Sequence, residues 1–196
     1  MRTRISSLLI MVLSCAVLFA QRTPPPRGKA TASIGGKAVT IDYGRPAFKV
    51  RSMDELFKQL PADRVWRAGQ NQVTTLTTEG EIAIGGKKVP AGKYSLYVHI
   101  SPAGEWSLIV NKDLGIELVK IWPEAPANMA KEPWPYYEDY TEKIGKQEVV
   151  RVPMKAGKND SPVDMFTIEL SPEGSGATLK MAWGDRTCSV PITPAN

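Results

Sequence analysis

Apolar and polar residues alternate with a period of two along much of this chain, and glycine or proline interrupts them at short intervals. Ala38-Val39-Thr40-Ile41-Asp42-Tyr43 alternates directly after Gly35-Gly36. Ile82 and Ile84 lead into Gly85-Gly86-Lys87-Lys88-Val89, a second Ile-Gly-Gly-Lys and the mark of a two-residue hairpin loop. Turn chemistry explains the two copies without a larger internal repeat. Further strands are predicted at 94–100 and 106–111, around Ser101-Pro102-Ala103-Gly104, and at 149–154, 165–170, 177–183 and 187–192. Turns are expected at Pro172-Glu173-Gly174 and Gly184-Asp185. A period of two sends successive side chains to opposite faces of an extended strand, so one face can enter a core. The pattern predicts a mainly β fold, an antiparallel β-sandwich or open barrel with one short packed helix.

That helix begins at Ser52. Ser52-Met53-Asp54-Glu55 fits a capping box, in which hydroxyl and carboxylate satisfy reciprocal backbone N–H groups. Met53, Leu56, Phe57 and Leu60 fall on one face, and Pro61 stops the helix. Among the strands, Val98, Trp106, Leu108, Phe166, Ile168 and Met181 are expected in the core, with Lys112 and Lys158 exposed.

Residues 1–20 read as a secretory signal: Arg2 and Arg4, an apolar run, then Ala20 as a small residue before Gln21. Val12-Leu13-Ser14-Cys15 offers a competing lipid-anchor reading at Cys15, opposed by the apolar residues that continue to Ala20. Residues 21–29, with Pro24, Pro25 and Pro26, form an expected extended tether, and 30–196 a single domain. Export to the periplasm or the exterior follows, without a membrane span. Loss of the first twenty residues lowers the formal charge from +5 to +3 and leaves Cys188 as a lone thiol. No basic run supports nucleic-acid binding, and one thiol cannot form an internal disulfide.

Catalytic residue types are scarce. His99 is the single histidine, which argues against a histidine-rich zinc site. A four-residue turn would place His99 opposite Trp106, an ordinary cross-strand pair. Cys188 alternates with Val190 and Ile192 and is expected to be buried and inert. Glu138, Asp139 and Glu142 lie together, with Asp42 and Glu105 on strands, but their spacing ties no pair to a common site. No catalytic residue, metal site or cofactor is assigned.

A polar-aromatic stretch, Val-Trp-Arg-Ala-Gly-Gln-Asn-Gln-Val-Thr-Thr from Val65 to Thr75, stands apart from ordinary strand sequence. It is accompanied by Tyr43-Gly44-Arg45-Pro46, Pro90-Ala91-Gly92-Lys93-Tyr94-Ser95-Leu96-Tyr97, Arg151-Val152-Pro153-Met154 and the run from Ala177 to Asp185. In this order, over residues 30 to 192, the motifs resemble the bacterial exported family known as domain of unknown function 2911. The resemblance implies export and brings no catalytic or binding residues with it. Tyr43, Arg45, Trp66, Arg67 and Asn71 suit recognition of a carboxylate, a sugar or a peptide backbone, because Arg grips planar acceptors and Trp stacks. The same residues equally suit a fold-maintaining network in which a buried Arg satisfies carbonyls where strands change partners.

A proline-broken excursion at 122–140 adds Trp134, Tyr136 and Tyr137 as further candidates, either a stacking platform or a lid burying its own rings. The function expected is a non-catalytic binding or envelope-associated module for a small molecule, glycan or envelope protein. A carboxylate-dependent polysaccharide hydrolase and a purely structural domain are the alternatives.

Overall fold

The computed structural model describes residues 26–49, 52–136 and 138–195. Its elements begin with strands β1 (Arg27–Ile34) and β2 (Lys37–Gly44), then helix α1 (Met53–Lys58). Strands β3 (Val65–Trp66), β4 (Thr75–Thr78), β5 (Ile82–Ile84), β6 (Lys87–Val89), β7 (Gly92–Ile100) and β8 (Trp106–Asn111) follow. A small excursion holds β9 (Ile116–Glu117), α2 (Leu118–Ile121), β10 (Pro133–Trp134) and α3 (Tyr140–Lys143). Two long strands, β11 (Glu148–Glu173) and β12 (Gly176–Pro194), complete the chain.

Ten strands form one antiparallel sheet in the order β1-β2-β4-β7-β8-β11-β12-β5-β6, with β3 added on β7. The sheet curls about a single main core but does not close into a barrel, and β9 and β10 pair separately. Both Ile-Gly-Gly-Lys segments are two-residue hairpin loops, with φ of 55° and 79° at Gly35 and Gly36 and 53° and 79° at Gly85 and Gly86. Those left-handed values match the twist of the flanking strands and exclude most side chains. The first loop meets the β11–β12 turn, where the Gly35 N–H donates to Ser175 O at 2.9 Å.

Alternation works as the sequence predicts. Tyr94, Leu96, Val98 and Ile100 of β7 enter the main core, whereas Tyr97 joins a smaller cluster on the opposite face with Val65, Ile109, Tyr140 and Ile144. Val98, Trp106, Leu108, Phe166, Ile168 and Met181 are all buried, and Lys112 and Lys158 are exposed. The Ser52 hydroxyl accepts from Glu55 N at 3.2 Å and so caps α1, whose Met53 is buried. Leu56 and Phe57, half-buried, pack against the main core with Leu60 just beyond the helix end.

Several boundaries differ from expectation. Strand β1 starts at Arg27, inside the stretch read as tether, because β2 offers a free edge that pairs in register back to Gly44. Residues 1–25, including the expected signal and Cys15, lie outside the described residues. Among the described residues three short α-helices occur where one was expected, since single turns such as α2 and α3 are too brief to leave a period. Gly184 (φ 55°) is no turn: β12 runs through it, facing Val163 where the β11–β12 register shifts. A left-handed glycine serves a bulge or a hairpin equally well. Its effect is visible in the phase of β12, whose core residues change from Ala177, Leu179 and Met181 to Cys188, Val190 and Ile192.

Candidate functional site

The unusual motifs interlock at one corner of the sheet. Gly44 ends β2 against the 68–75 segment so closely that a Cβ there would stand 2.0 Å from Gln70 O. Gly69 lies against Gly44 in turn, and a Cβ on it would meet Thr74 Oγ1 at 2.7 Å. The Thr74 hydroxyl donates to Ala68 O at 2.8 Å, which fixes the turn. Ala68 and Asn71 hold left-handed φ of 48° and 62°, and Arg64 one of 54°. Such conformations are unfavourable for most side chains and persist only where surrounding contacts over-determine them.

Tyr43 and Arg45 secure the next contact. Between Lys158 and Thr167 the pairing of β11 with β12 is irregular, and residues 46–48 dock there through an Ala47–Met165 bridge. Phe166 N donates to Pro46 O at 2.9 Å. Arg45 Nε donates to Phe166 O at 3.2 Å and its Nη2 to Thr167 Oγ1 at 3.1 Å, while Tyr43 Oη donates to Ile168 O at 3.2 Å. Two of these acceptors are carbonyls and one a hydroxyl, all beside a break in the ladder, so Tyr43 and Arg45 do what the fold-maintaining alternative requires.

Trp66 and Arg67 sit on the other side of that corner. The Trp66 and Trp183 rings stack at 5.6 Å and 5°, and Phe166 meets Trp66 edge-on at 4.9 Å. Phe48 packs edge-on against Trp183 at 6.0 Å, as Phe57 does against Trp106 at 5.6 Å. Helix α1 roofs this wall and leaves a hollow of about 130 Å³ bounded by Leu56, Phe57, Leu60, Trp66, Trp106 and Trp183. Arg67, half-buried, lines both it and a neighbouring depression of about 410 Å³ that Arg45, Lys49 and Gln70 also reach.

The remaining candidates lie apart. Asn71 belongs to the left-handed turn. Trp134 pairs in β10 with Ile116 of β9, and neither it nor Tyr136 lines the α1 hollow. Tyr136 packs on the outer cluster with Tyr140, so part of the 122–140 excursion buries its rings as a lid, while Trp122 remains 47% exposed. Tyr137 lies outside the described residues.

His99 pairs with Ser107, not Trp106, because Ser101 and Glu105 are themselves joined across the loop by a backbone hydrogen bond of 2.9 Å and the pairing slips by one residue. Burial, with the guanidinium groups of Arg151 and Arg64, holds its imidazole below the ordinary range. Glu138, Asp139, Glu142 and Glu105 are exposed, and Asp42 is held by Arg27, whose Nε donates to it at 2.6 Å. Among the described residues no cluster of three or more His, Cys, Asp or Glu is placed to hold a metal ion, and no helix is long and apolar enough to cross a membrane.

Burial pushes the Cys188 thiol up to about 12. Between the ordinary thiol value of 9.0 and that value, the unfolded chain releases a proton that the folded one keeps, so stability falls as pH rises there. Iodoacetamide at pH 8 is expected to leave Cys188 unmodified in the folded protein and to alkylate it in denaturant. Mass spectrometry of the two samples checks this, and equal labelling would contradict the burial.

Sequence reasoning missed the wall itself. Trp183 was present in the run from Ala177 to Asp185, yet nothing local marks it as the stacking partner of Trp66, 117 positions earlier. Trp106 was expected only as core and Phe57 only as a helix-packing residue.

Fold and site together define a mainly β, antiparallel protein in which a few glycines, an Arg and a Tyr join distant strands of one curled sheet beside an aromatic hollow. The family described as a protein of unknown function, DUF2911, matches residues 25–192, and the chain belongs to it. No curated protein and no solved structure matches the chain.

Proposed function

We propose that this protein is a non-catalytic binding module whose ligand enters the aromatic hollow under α1. The observation carrying this reading is the hollow of about 130 Å³ walled by Trp66, Trp106 and Trp183 and opening beside Arg67. A cleft that is largely apolar with a few convergent polar groups is the usual form of a small-molecule site. The left-handed residues at 64, 68 and 71 add to it, because strained backbone gathers where geometry must be held.

The hydrolase alternative needs two carboxylates facing a groove beside aromatic rings. Among the described residues no acidic side chain lines the aromatic hollow. Asp42 and Glu132 share a different depression, which no aromatic residue among the described residues lines and where Arg27 holds Asp42. Both observations favour binding over hydrolysis. Ligand-observed NMR with a set of ring-bearing fragments tests the reading. Hits are expected on the wild type and are expected to vanish in Leu60→Trp, whose indole fills the hollow. Hits that survive the substitution would place binding elsewhere and sink this site.

Export belongs to the same proposal: cleavage near Ala20 would release a chain beginning near Gln21 into the periplasm or beyond. Supporting it are the basic and apolar character of residues 2–19 and the proline-rich sequence after them. Intact-mass measurement of the protein recovered from its own cells decides between this form and one acylated at Cys15.

A further inference from the structure

We infer that the ligand is a small organic carboxylate with one anionic head and one ring-sized apolar tail, an inference that rests on the binding reading above. The hollow of about 130 Å³ approaches the roughly 150 Å³ at which an apolar protein cavity admits benzene. One six-membered ring or a short branched chain would fill it. Of a sugar ring's hydroxyls, only those reaching Gln59 or Arg67 would find partners, and those pressed against Trp66, Trp106 and Leu60 would be stranded.

The head group is indicated by the charge next door. The larger depression shares Leu56, Arg67 and Trp183 with the hollow and adds Arg45, Lys49 and Gln70. Among the described residues, no Asp or Glu lines either space, and the acids of α1, Asp54 and Glu55, are exposed outside both. Three cations among the lining residues tilt the local potential positive, which draws an anion. Guanidinium groups present planar, forked donors that match a carboxylate. Arg45 commits Nε and one Nη2 donor to β11, which fixes its orientation and leaves other N–H groups for the depression. Arg67 is no loose side chain either: it is half-buried and has a partner within the protein. A head group in the depression therefore meets in Arg45 a guanidinium already tied to β11, which lowers the ordering cost of binding.

Calorimetric titration with benzoate, phenylacetate, 3-phenylpropionate and 4-phenylbutyrate, each beside the alcohol of equal length, tests the inference. At least one carboxylate is expected to bind about tenfold or more tightly than its alcohol, the scale of one charge-assisted contact. Arg67→Met and Lys49→Glu are each expected to shrink that ratio at least about threefold. Lys49 is exposed, so its variant serves if Arg67→Met lowers the melting temperature. Leu60→Trp should remove both ligands. Alcohols binding as well as carboxylates would overturn the anionic head and leave the binding reading intact. Binding of a peptide ending in a Phe carboxylate, with no response from the small acids, would overturn the small-molecule assignment. Failure of every compound, together with an empty fragment screen, would overturn the binding reading and this inference together.

Discussion

Phe166→Ala is expected to destabilise the protein by about 3 to 5 kcal/mol, the usual range for deleting a buried phenyl ring. Phe166 is 1% exposed. Its ring touches three others, Tyr43 at 5.7 Å, Trp66 at 4.9 Å and Trp183 at 6.1 Å. Removal would leave a cavity that the stacked Trp66 and Trp183 cannot close without separating, since both are also fixed by their own strands. Its backbone carbonyl still accepts from Arg45, so the loss is one of packing and not of the hydrogen-bonded seam. For a domain of this size the melting temperature should drop by roughly 10 °C. A thermal transition within about 2 °C of wild type would show that the aromatic cluster is not a shared core. Phe166→Leu, which restores most of the volume, should recover more than half of the loss.

Gly44→Ala is expected to be of similar size for an opposite reason. Its new Cβ would stand 2.0 Å from Gln70 O and 2.9 Å from Gln70 N. These are backbone atoms, so no side chain can swing aside, and the Tyr43–Pro46 and Ala68–Thr75 segments must part. Overpacking usually costs about 1 to 3 kcal/mol, and a clash between two backbones belongs at or above the top of that range. Gly36→Ala is the control. Gly36 has φ 79° and open space around its Cβ, so only the left-handed penalty of about 1 to 2 kcal/mol applies. Urea denaturation of the pair should rank Gly44→Ala clearly below Gly36→Ala. The reverse order would mean that the motifs do not interlock.

The two substitutions bear on what the motif residues are for. Tyr43 and Arg45 bind backbone and side-chain oxygens of β11, Gly44 and Gly69 permit contact, and Thr74 ties the turn. Their chemistry is accounted for by the fold. Trp66 and Arg67 border the hollow, and a distinctive motif therefore combines a structural half with a half that faces open space.

Local physics was enough for most of the strands, the two glycine hairpins, the cap at Ser52 and the identity of the core, but not for β1, β3 and β4. A period of two, a Gly-Gly pair and a Ser placed three before a Glu each constrain only their own neighbourhood, and no distant residue can change what they favour. Family membership was legible for a related reason, since it rests on ordered short motifs. Gly184 shows where local reading stops, because a left-handed glycine fits a bulge and a turn alike, and only the partner strand β11 selects between them. His99 shows the same for register, which one backbone hydrogen bond across the loop moved by a residue. The hollow is more remote still. Phe57 comes from a helix, Trp66 from a two-residue strand, Trp106 from a hairpin and Trp183 from the end of the chain, and their convergence depends on how the sheet curls. Curl is a sum of twists, bulges and close glycine contacts over all the strands, so the tertiary structure alone decided that these rings enclose a space and that Arg67 stands at its opening.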